Sequence, residues 1–366
     1  MLKEQLQEIA AAKGCTGFGI TTAEPFEDVK QAMDERHAGG LAADLAFTYR
    51  DTAVATDVRR TFSWAERLIV LAFAYEPDAG AAVVEVGTMR IARFADGDQY
   101  AGLRAALESV VVALEESGHR AEVLADDSRL VDRAAAVRAG VGWWGRSTMV
   151  LAPGAGPWML LGSVVTDARL EADRPMARTC GTCVECIPAC PTGAIQPSGV
   201  LDVRRCLAYH LQSGGVIPLE LRAAVGDRLY GCDDCLTSCP PGTRILDAAL
   251  PVSGPAIVDV LGATDEDLLA RFGHFYLPAR RPRILKRNAL VAAGNDRSPH
   301  LEPMVVTYLG HPDWLLRAHA AWAAGEFGTE GTGAALVMTL ADEHDARVRE
   351  EVHRAKRRRQ DDHGLR

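Results

Sequence analysis

The sequence predicts an α+β fold in three parts: a mixed α/β N-terminal domain, a cysteine-rich middle and an all-helical tail. Three observations carry this expectation. Helical and strand-like stretches alternate over residues 1–172. Eight of the nine cysteines lie between Cys180 and Cys239. From about residue 280 onward the chain becomes rich in Ala, Leu and Val. At 366 residues and 48% hydrophobic, the chain can bury more than one core.

In the first part, Leu2 to Ala12 has the spacing of an amphipathic helix, and charges interrupt every apolar stretch near it. It reads as neither a signal peptide nor an anchor. The longest apolar run, Leu68 to Tyr75, is far too short to span a bilayer and reads as a buried strand. A helix is expected from Gln99 to Ser117, and another from Arg133 to Ala139 with Asp132-Arg133 charging its start. Strands are expected at Met149–Leu151 and Met159–Val165, around the turn Pro153-Gly154-Ala155-Gly156-Pro157. The expected location is the cytoplasm, where clustered cysteines are metal ligands more often than disulfides.

The middle part carries the chemistry. Cys180, Cys183, Cys186 and Cys190-Pro191 form the C-x2-C-x2-C-x3-C-P run of bacterial ferredoxins. Cys206, Cys232, Cys235 and Cys239-Pro240 repeat it with one cysteine displaced upstream. Three closely spaced thiolates grip one cube, and the fourth reaches the other cluster. This assigns Cys180, Cys183, Cys186 and Cys239 to one 4Fe–4S cluster. Cys190, Cys206, Cys232 and Cys235 go to the second, in a ferredoxin-like domain of residues 173–250. Zinc ribbons use paired CxxC motifs but not a third close cysteine followed by Cys-Pro. Cys15 is left over, as a small core residue.

The tail reads as paired helices. RNALVAAGN from Arg287 and RAHAAWAAGEFG from Arg317 echo each other about 30 residues apart, with a weaker echo near Arg347. That spacing fits a HEAT-like repeat over residues 251–366, or simply two Ala-rich helices. The net charge of −9 excludes a protein that coats nucleic acid throughout, so any RNA contact must be local. Candidate patches are Arg280, Arg281, Arg283, Lys286 and Arg287, and Arg354, Lys356, Arg357, Arg358 and Arg359.

Two clusters carry single electrons and call for a second centre in the N-terminal domain. No G-x-G-x-x-G follows a strand there, so a Rossmann-type flavin or nicotinamide site is unsupported, and no P-loop is present. The densest small-residue stretch is Ala139-Gly140-Val141-Gly142-Trp143-Trp144-Gly145-Arg146-Ser147-Thr148. It could admit a large flat ligand, or be a helix C-cap and a tight turn. Upstream stand Asp126-Asp127-Ser128 and Asp132-Arg133.

These segments resemble those of the epoxyqueuosine reductases. Arg93-Phe94-Ala95 and Asp98-Gln99-Tyr100 are similar to that family's Arg-Tyr-Ala and Asp-Tyr-His. AGVGWWGRS is similar to AGLGW-x-GKN. Leu161-Gly162 with Thr166-Asp167, YGCDDC from Tyr230, and KRNALVAAGN from Lys286 also match. The resemblance spans nearly the whole chain. It implies a cobalamin-binding domain at residues 1–172, with base-off cobalamin between that domain and the clusters. It implies reduction of epoxyqueuosine in the anticodon region of tRNA to queuosine, with low-valent cobalt attacking the epoxide and a carboxylic acid protonating its oxygen. Aligned on the family, the acid is Asp126, with Asp127 one register away. The cofactor contacts are Arg93, Tyr100, Asp126, Gly145, Ser147, Val150 and Leu161, several through the backbone. The resemblance further implies a low-potential electron donor such as a flavodoxin or ferredoxin, and no membrane. The sequence departs from the family at Arg146-Ser147 (Lys-Asn), Ala101 (His) and Leu211-Gln212-Ser213 (Thr-x-Glu). The alternatives are a cobalamin-dependent reductase of a small molecule and an electron-transfer protein of ferredoxin type.

Overall fold

The computed structural model describes residues 2–75, 87–244 and 252–364. The chain forms two compact units. Met1–Pro77, Asp96–Arg204 and Asp233–Ala249 make the first; Asp78–Ala95, Arg205–Cys232 and Leu250–Arg366 make the second. The cysteine-rich middle is thus divided between them, and the expected boundary at residues 250/251 lies outside the described residues.

The first unit is built on a four-stranded sheet. Its order is Gly17–Thr22, Arg67–Ala74, Met159–Thr166, Ala121–Leu124, with every neighbouring pair antiparallel. The apolar run is a central strand whose residues Leu68 to Ala72 are wholly buried. Having no wet face, it shows no apolar–polar alternation. Leu68, Val70 and Ala72 pack with Ala134, Ala135 and Ala136 of the helix Asp132–Arg138. The helix Gln99–Glu116 packs on the other face, where successive strand residues point. A Cβ at Gly162 would come within 2.6 Å of Leu107, so glycine is what lets that helix close on the sheet. The expected helices and strands of this unit form, but the two edge strands, Gly17–Thr22 and Ala121–Leu124, were not expected.

The second unit holds a three-stranded sheet in the order Arg228–Tyr230, Thr88–Ile91, Val252–Ala256. The helices Arg283–Asp296, Glu302–Tyr308, Trp314–Phe327, Glu330–Asp342 and Ala346–Gly364 complete it. The echo in the sequence has a physical origin. A Cβ at Gly294 would meet the Trp322 ring at 2.6 Å, and one at Gly325 would meet Ala355 at 2.7 Å. Each repeat presents a glycine where the next helix crosses. A buried ion pair, Arg222 Nη2 to Glu351 Oε1 at 2.8 Å, fastens the last helix to Leu219–Val225.

The KRNALVAAGN segment corrects part of the nucleic-acid reading. Arg287 is wholly buried. Its five N–H groups all find acceptors: the carbonyls of His210, Ser213 and Gly215, and the Asn288 Oδ1, which takes two. Asn288 in turn donates to the carbonyls of Leu211 and Leu229. Lys286 is 8% exposed and bonds Asp265 at 2.9 Å. Arg283 pairs with Asp313 at 3.2 Å. Only Arg280 and Arg281 of this patch are exposed, beside the exposed Tyr276. In the C-terminal patch Arg354 pairs with Glu350 and Arg358 with Glu326, and the Arg359 side chain lies outside the described residues.

Arg287→Leu should therefore act on stability. It strands the buried His210 carbonyl and the buried Asn288 Oδ1, and leaves the part-buried contacts to the Ser213 and Gly215 carbonyls unmade. The expected loss is on the order of 3 kcal/mol, or roughly 6–12 °C in Tm by calorimetry for a unit of this size. An unaltered Tm would refute the role given to this guanidinium.

Candidate active site and cluster loops

Four cysteines come together in the first unit. Cys180 and Cys183 lie on a loop, Cys186 opens the short helix Cys186–Ala189, and Cys239 precedes the helix Pro240–Thr243. The Cys239 thiol is pushed up to about 11, by burial first and then by the charges of Cys180, Cys186 and Cys183. Cys186 is raised by burial and by Cys180 and Cys183, with Arg146 opposing. Mutual repulsion among thiolates is what a cationic iron core relieves. Among the described residues, no three His, Cys, Asp or Glu side chains form a group that could hold a single metal ion. A four-iron cube spreads its ligands more widely than one ion does. Main-chain donors already address the sulfurs: Arg146 N–H to Cys180 Sγ at 3.3 Å and Ala194 N–H to Cys190 Sγ at 3.2 Å. For Cys190, burial raises the thiol, but the donors at Thr192, Ala194 and Ile195 outweigh it and lower the pKa. The thiols gathered at Cys180, Cys183, Cys186 and Cys239 fit a cubane site. Cys190 and Cys235 belong to the first unit, and Cys206 and Cys232 to the second. Cys15 stands apart, its thiol pushed up to about 11 by burial.

The candidate acid lies between the strand Ala121–Leu124 and the helix Asp132–Arg138. Asp126 has φ +52°, a left-handed conformation that Asp tolerates better than most residues. Its carboxyl is solvent-exposed in surface terms, yet dense protein around it raises its pKa. Asp132 and Asp127 add to the rise, and Arg104 opposes it. Asp127 behaves oppositely. Burial alone would raise it, but Arg129 grips both of its oxygens at 2.6–3.0 Å and lowers it. The half-buried Tyr100 is raised by burial and by Asp126 and Asp132. Arg104, one turn along the same helix, lies 5.5 Å from the Tyr100 ring. Sequence reasoning missed Arg104; its i+4 relation to Tyr100 was the available signal.

The small-residue stretch is a helix end and a hairpin. Gly140 closes the helix with φ +71°. Gly142 runs so close to the Leu151 carbonyl that a Cβ would sit 2.4 Å away. Trp143–Trp144 then pairs with Val150–Leu151. The intervening turn touches two sites. Arg146 donates to Cys180 as above, and the Thr148 carbonyl accepts from Arg133 at 3.3 Å, next to Asp132. Of the expected cofactor contacts, Tyr100 and Asp126 interact electrostatically, and Gly145 and Ser147 belong to the turn. Val150 and Leu161 are buried in the apolar core of the first unit. Arg93 is buried in the second unit. One turn thus contacts both the Cys180 loop and the helix that follows Asp126.

Residues 179–242 match a 4Fe-4S double cluster binding domain and residues 278–355 match HEAT repeats. Fold and site thus define an iron–sulfur protein with two clusters and a helical-repeat tail. The epoxyqueuosine reductase of Staphylococcus aureus is 30% identical over 368 residues, covering 96% of this chain and 95% of the relative. That of Bacillus anthracis is 29% identical over 367 residues, covering 96% of each. A crystal structure of epoxyqueuosine reductase with an epoxyqueuosine-modified tRNA-Tyr stem loop matches with TM-score 0.91 and 27% identity, covering 98% of this chain and 99% of that one. A Bacillus subtilis structure, whose catalytic aspartate loop is swung out of the active site, matches with TM-score 0.90 and 27% identity, covering 98% of both chains. The chain belongs to the epoxyqueuosine reductase family.

The ligand sets can be separated by mutation. Iron analysis of Cys183→Ala and of Cys235→Ala should each find about half the wild-type content, because each cube has its own four thiolates. Cys15→Ala should retain all of it, and iron loss there would overturn the assignment.

Proposed function

We propose that this protein reduces epoxyqueuosine in tRNA to queuosine, with two 4Fe–4S clusters and cobalamin. The observation that carries the proposal is the full-length match to a family member crystallised on an epoxyqueuosine-modified stem loop. In this reading residues 1–172 hold cobalamin, residues 173–250 the clusters, and residues 251–366 form the helical tail. Cys180, Cys183, Cys186 and Cys239 hold one cluster, and Cys190, Cys206, Cys232 and Cys235 the other. When bound, cobalamin supplies a nucleophilic low-valent cobalt, and the clusters feed it single electrons from a low-potential flavodoxin or ferredoxin. Arg93, Tyr100, Asp126, Gly145, Ser147, Val150 and Leu161 are the contacts proposed for it. Among the described residues no helix is long and apolar enough to cross a membrane, and the proposed location is the cytoplasm.

The chain's own residues manage the proton. Converting an epoxide to an alkene and water takes two electrons and two protons, and negative charge builds on the departing oxygen. A donor must stay protonated near neutral pH to help. An ordinary aspartate, near ~3.9, does not. Asp126 is raised by its surroundings and by Asp132; Asp127, held by Arg129, is lowered. This contrast supports Asp126 as the acid. The Asp126 charge is felt at Tyr100, whose own pKa it raises, and Arg104 limits how far the Asp126 pKa climbs.

Cobalamin-reconstituted Asp126→Asn should keep its iron and its corrinoid absorbance but lose about 10²–10⁴-fold in epoxide reduction. Asp127→Asn should lose far less. Because the protonated form donates, wild-type activity should fall as pH rises through the Asp126 pKa, and the asparagine variant should lack that limb. The reverse ranking of the two variants would make Asp127 the acid. For tRNA, replacing exposed Arg280 and Arg281 together should weaken binding to all sequences alike and flatten its salt dependence. An unchanged salt slope would make them merely solvated.

A further inference from the structure

Trp143 and Arg146 flank the start of the hairpin turn, on the side of the first cysteine set. Trp143 is 8% exposed, and its indole Nε1–H is buried with no hydrogen-bond partner. An indole nitrogen can only donate, and a buried donor left unpaired is costly. The ring packs in a small apolar nest with Leu151 and Cys239, against which Cys180 and Met176 rest. The side-chain acceptors in that nest are sulfurs, two of them from the first ligand set.

Arg146 adds to this wall. Its main-chain N–H reaches Cys180 Sγ at 3.3 Å. Its guanidinium spreads over the ligand loop: Nε to the Cys183 carbonyl at 3.0 Å, Nη2 to Gly181 at 3.1 Å, and Nη1 to Pro197 at 3.2 Å. All three acceptors are neutral carbonyls, and among the described residues no carboxylate pairs with it. A full positive charge is therefore held against the loop. The resembling family motif has lysine here, which carries the charge but not the fork.

We infer that Trp143 and Arg146 raise the reduction potential of the cluster held by Cys180, Cys183, Cys186 and Cys239. The indole does so by donating to its sulfur, and the guanidinium by its unneutralised charge. The inference rests on the cluster reading proposed above. Reduction adds one negative charge to the cube. Hydrogen bonds to sulfur and nearby cations stabilise that charge, and both are recognised determinants of cluster potential. Arg146 has a second effect: with three carbonyls of the loop region on one guanidinium, the ligand loop is fixed before iron arrives.

The test is an EPR-monitored redox titration of reconstituted full-length protein, with iron content and iron release to a chelator measured alongside. Trp143→Phe keeps the ring and removes the donor. It should retain wild-type iron while one of the two reduction waves moves to lower potential. A tenfold drop in the reduced-to-oxidised ratio at fixed potential corresponds to about 59 mV for one electron. Arg146→Gln should move the same wave in the same direction. Arg146→Lys should restore that wave while releasing iron faster than wild type. Unmoved waves in both Trp143→Phe and Arg146→Gln would overturn the inference, and so would iron loss in Trp143→Phe, which would make the ring a packing element. Wild-type protein that takes up no iron would instead refute the underlying cluster reading.

Discussion

The first unit depends on one short piece of backbone, the turn between Trp144 and Val150. A hairpin two residues wide is weak by itself. This one is pinned by Gly142 against Leu151, by the Gly145 N–H to the Met149 carbonyl at 2.8 Å, and by side chains on both flanks. Arg146 ties it to the loop of Cys180 and Cys183, and Arg133 ties it to the helix Asp132–Arg138. A shift of the turn would therefore disturb the Cys180 loop and the Asp132–Arg138 helix together, so neither can drift without the other.

The sequence made some of this legible and hid the rest for physical reasons. Cysteine spacing was readable because a cube imposes fixed short separations on its ligands. The central strand and the Gln99 helix were readable because their apolar patterns are long. The edge strands Gly17–Thr22 and Ala121–Leu124 were not, since a short half-covered strand with Gly, Thr and Glu has little pattern to show. Between Asp126 and Asp127 the letters are the same. The difference lies in a left-handed backbone angle at the first and an arginine two residues beyond the second. Neither can be read from composition.

The tail teaches the opposite caution. A run such as Arg-Pro-Arg-Ile-Leu-Lys-Arg looks like a surface for phosphate. Yet Arg287 is among the most deeply buried groups of its unit, spending every donor on its own chain. Burial lowers its affinity for its proton, but a delocalised guanidinium with a full set of acceptors stays charged. The neighbouring Asn288 completes the staple. The resemblance in this segment therefore reflects architecture, while the exposed arginines stand just ahead of it.

The ninth cysteine bears on how the protein acquires its iron. Nine thiols in one chain invite errors: iron held by the wrong sulfur, or a mixed disulfide trapped while a cluster is only partly built. Thiolate is the form that binds metal and attacks disulfides, and burial pushes the Cys15 thiol up to about 11. Cys239 is pushed equally far, but with Cys180, Cys186 and Cys183 among the causes, whereas burial alone acts on Cys15. Half-buried beside the first strand, Cys15 stands apart from the thiols that gather at Cys239. Position, more than protonation, sets this one sulfur aside from the proposed ligand sets.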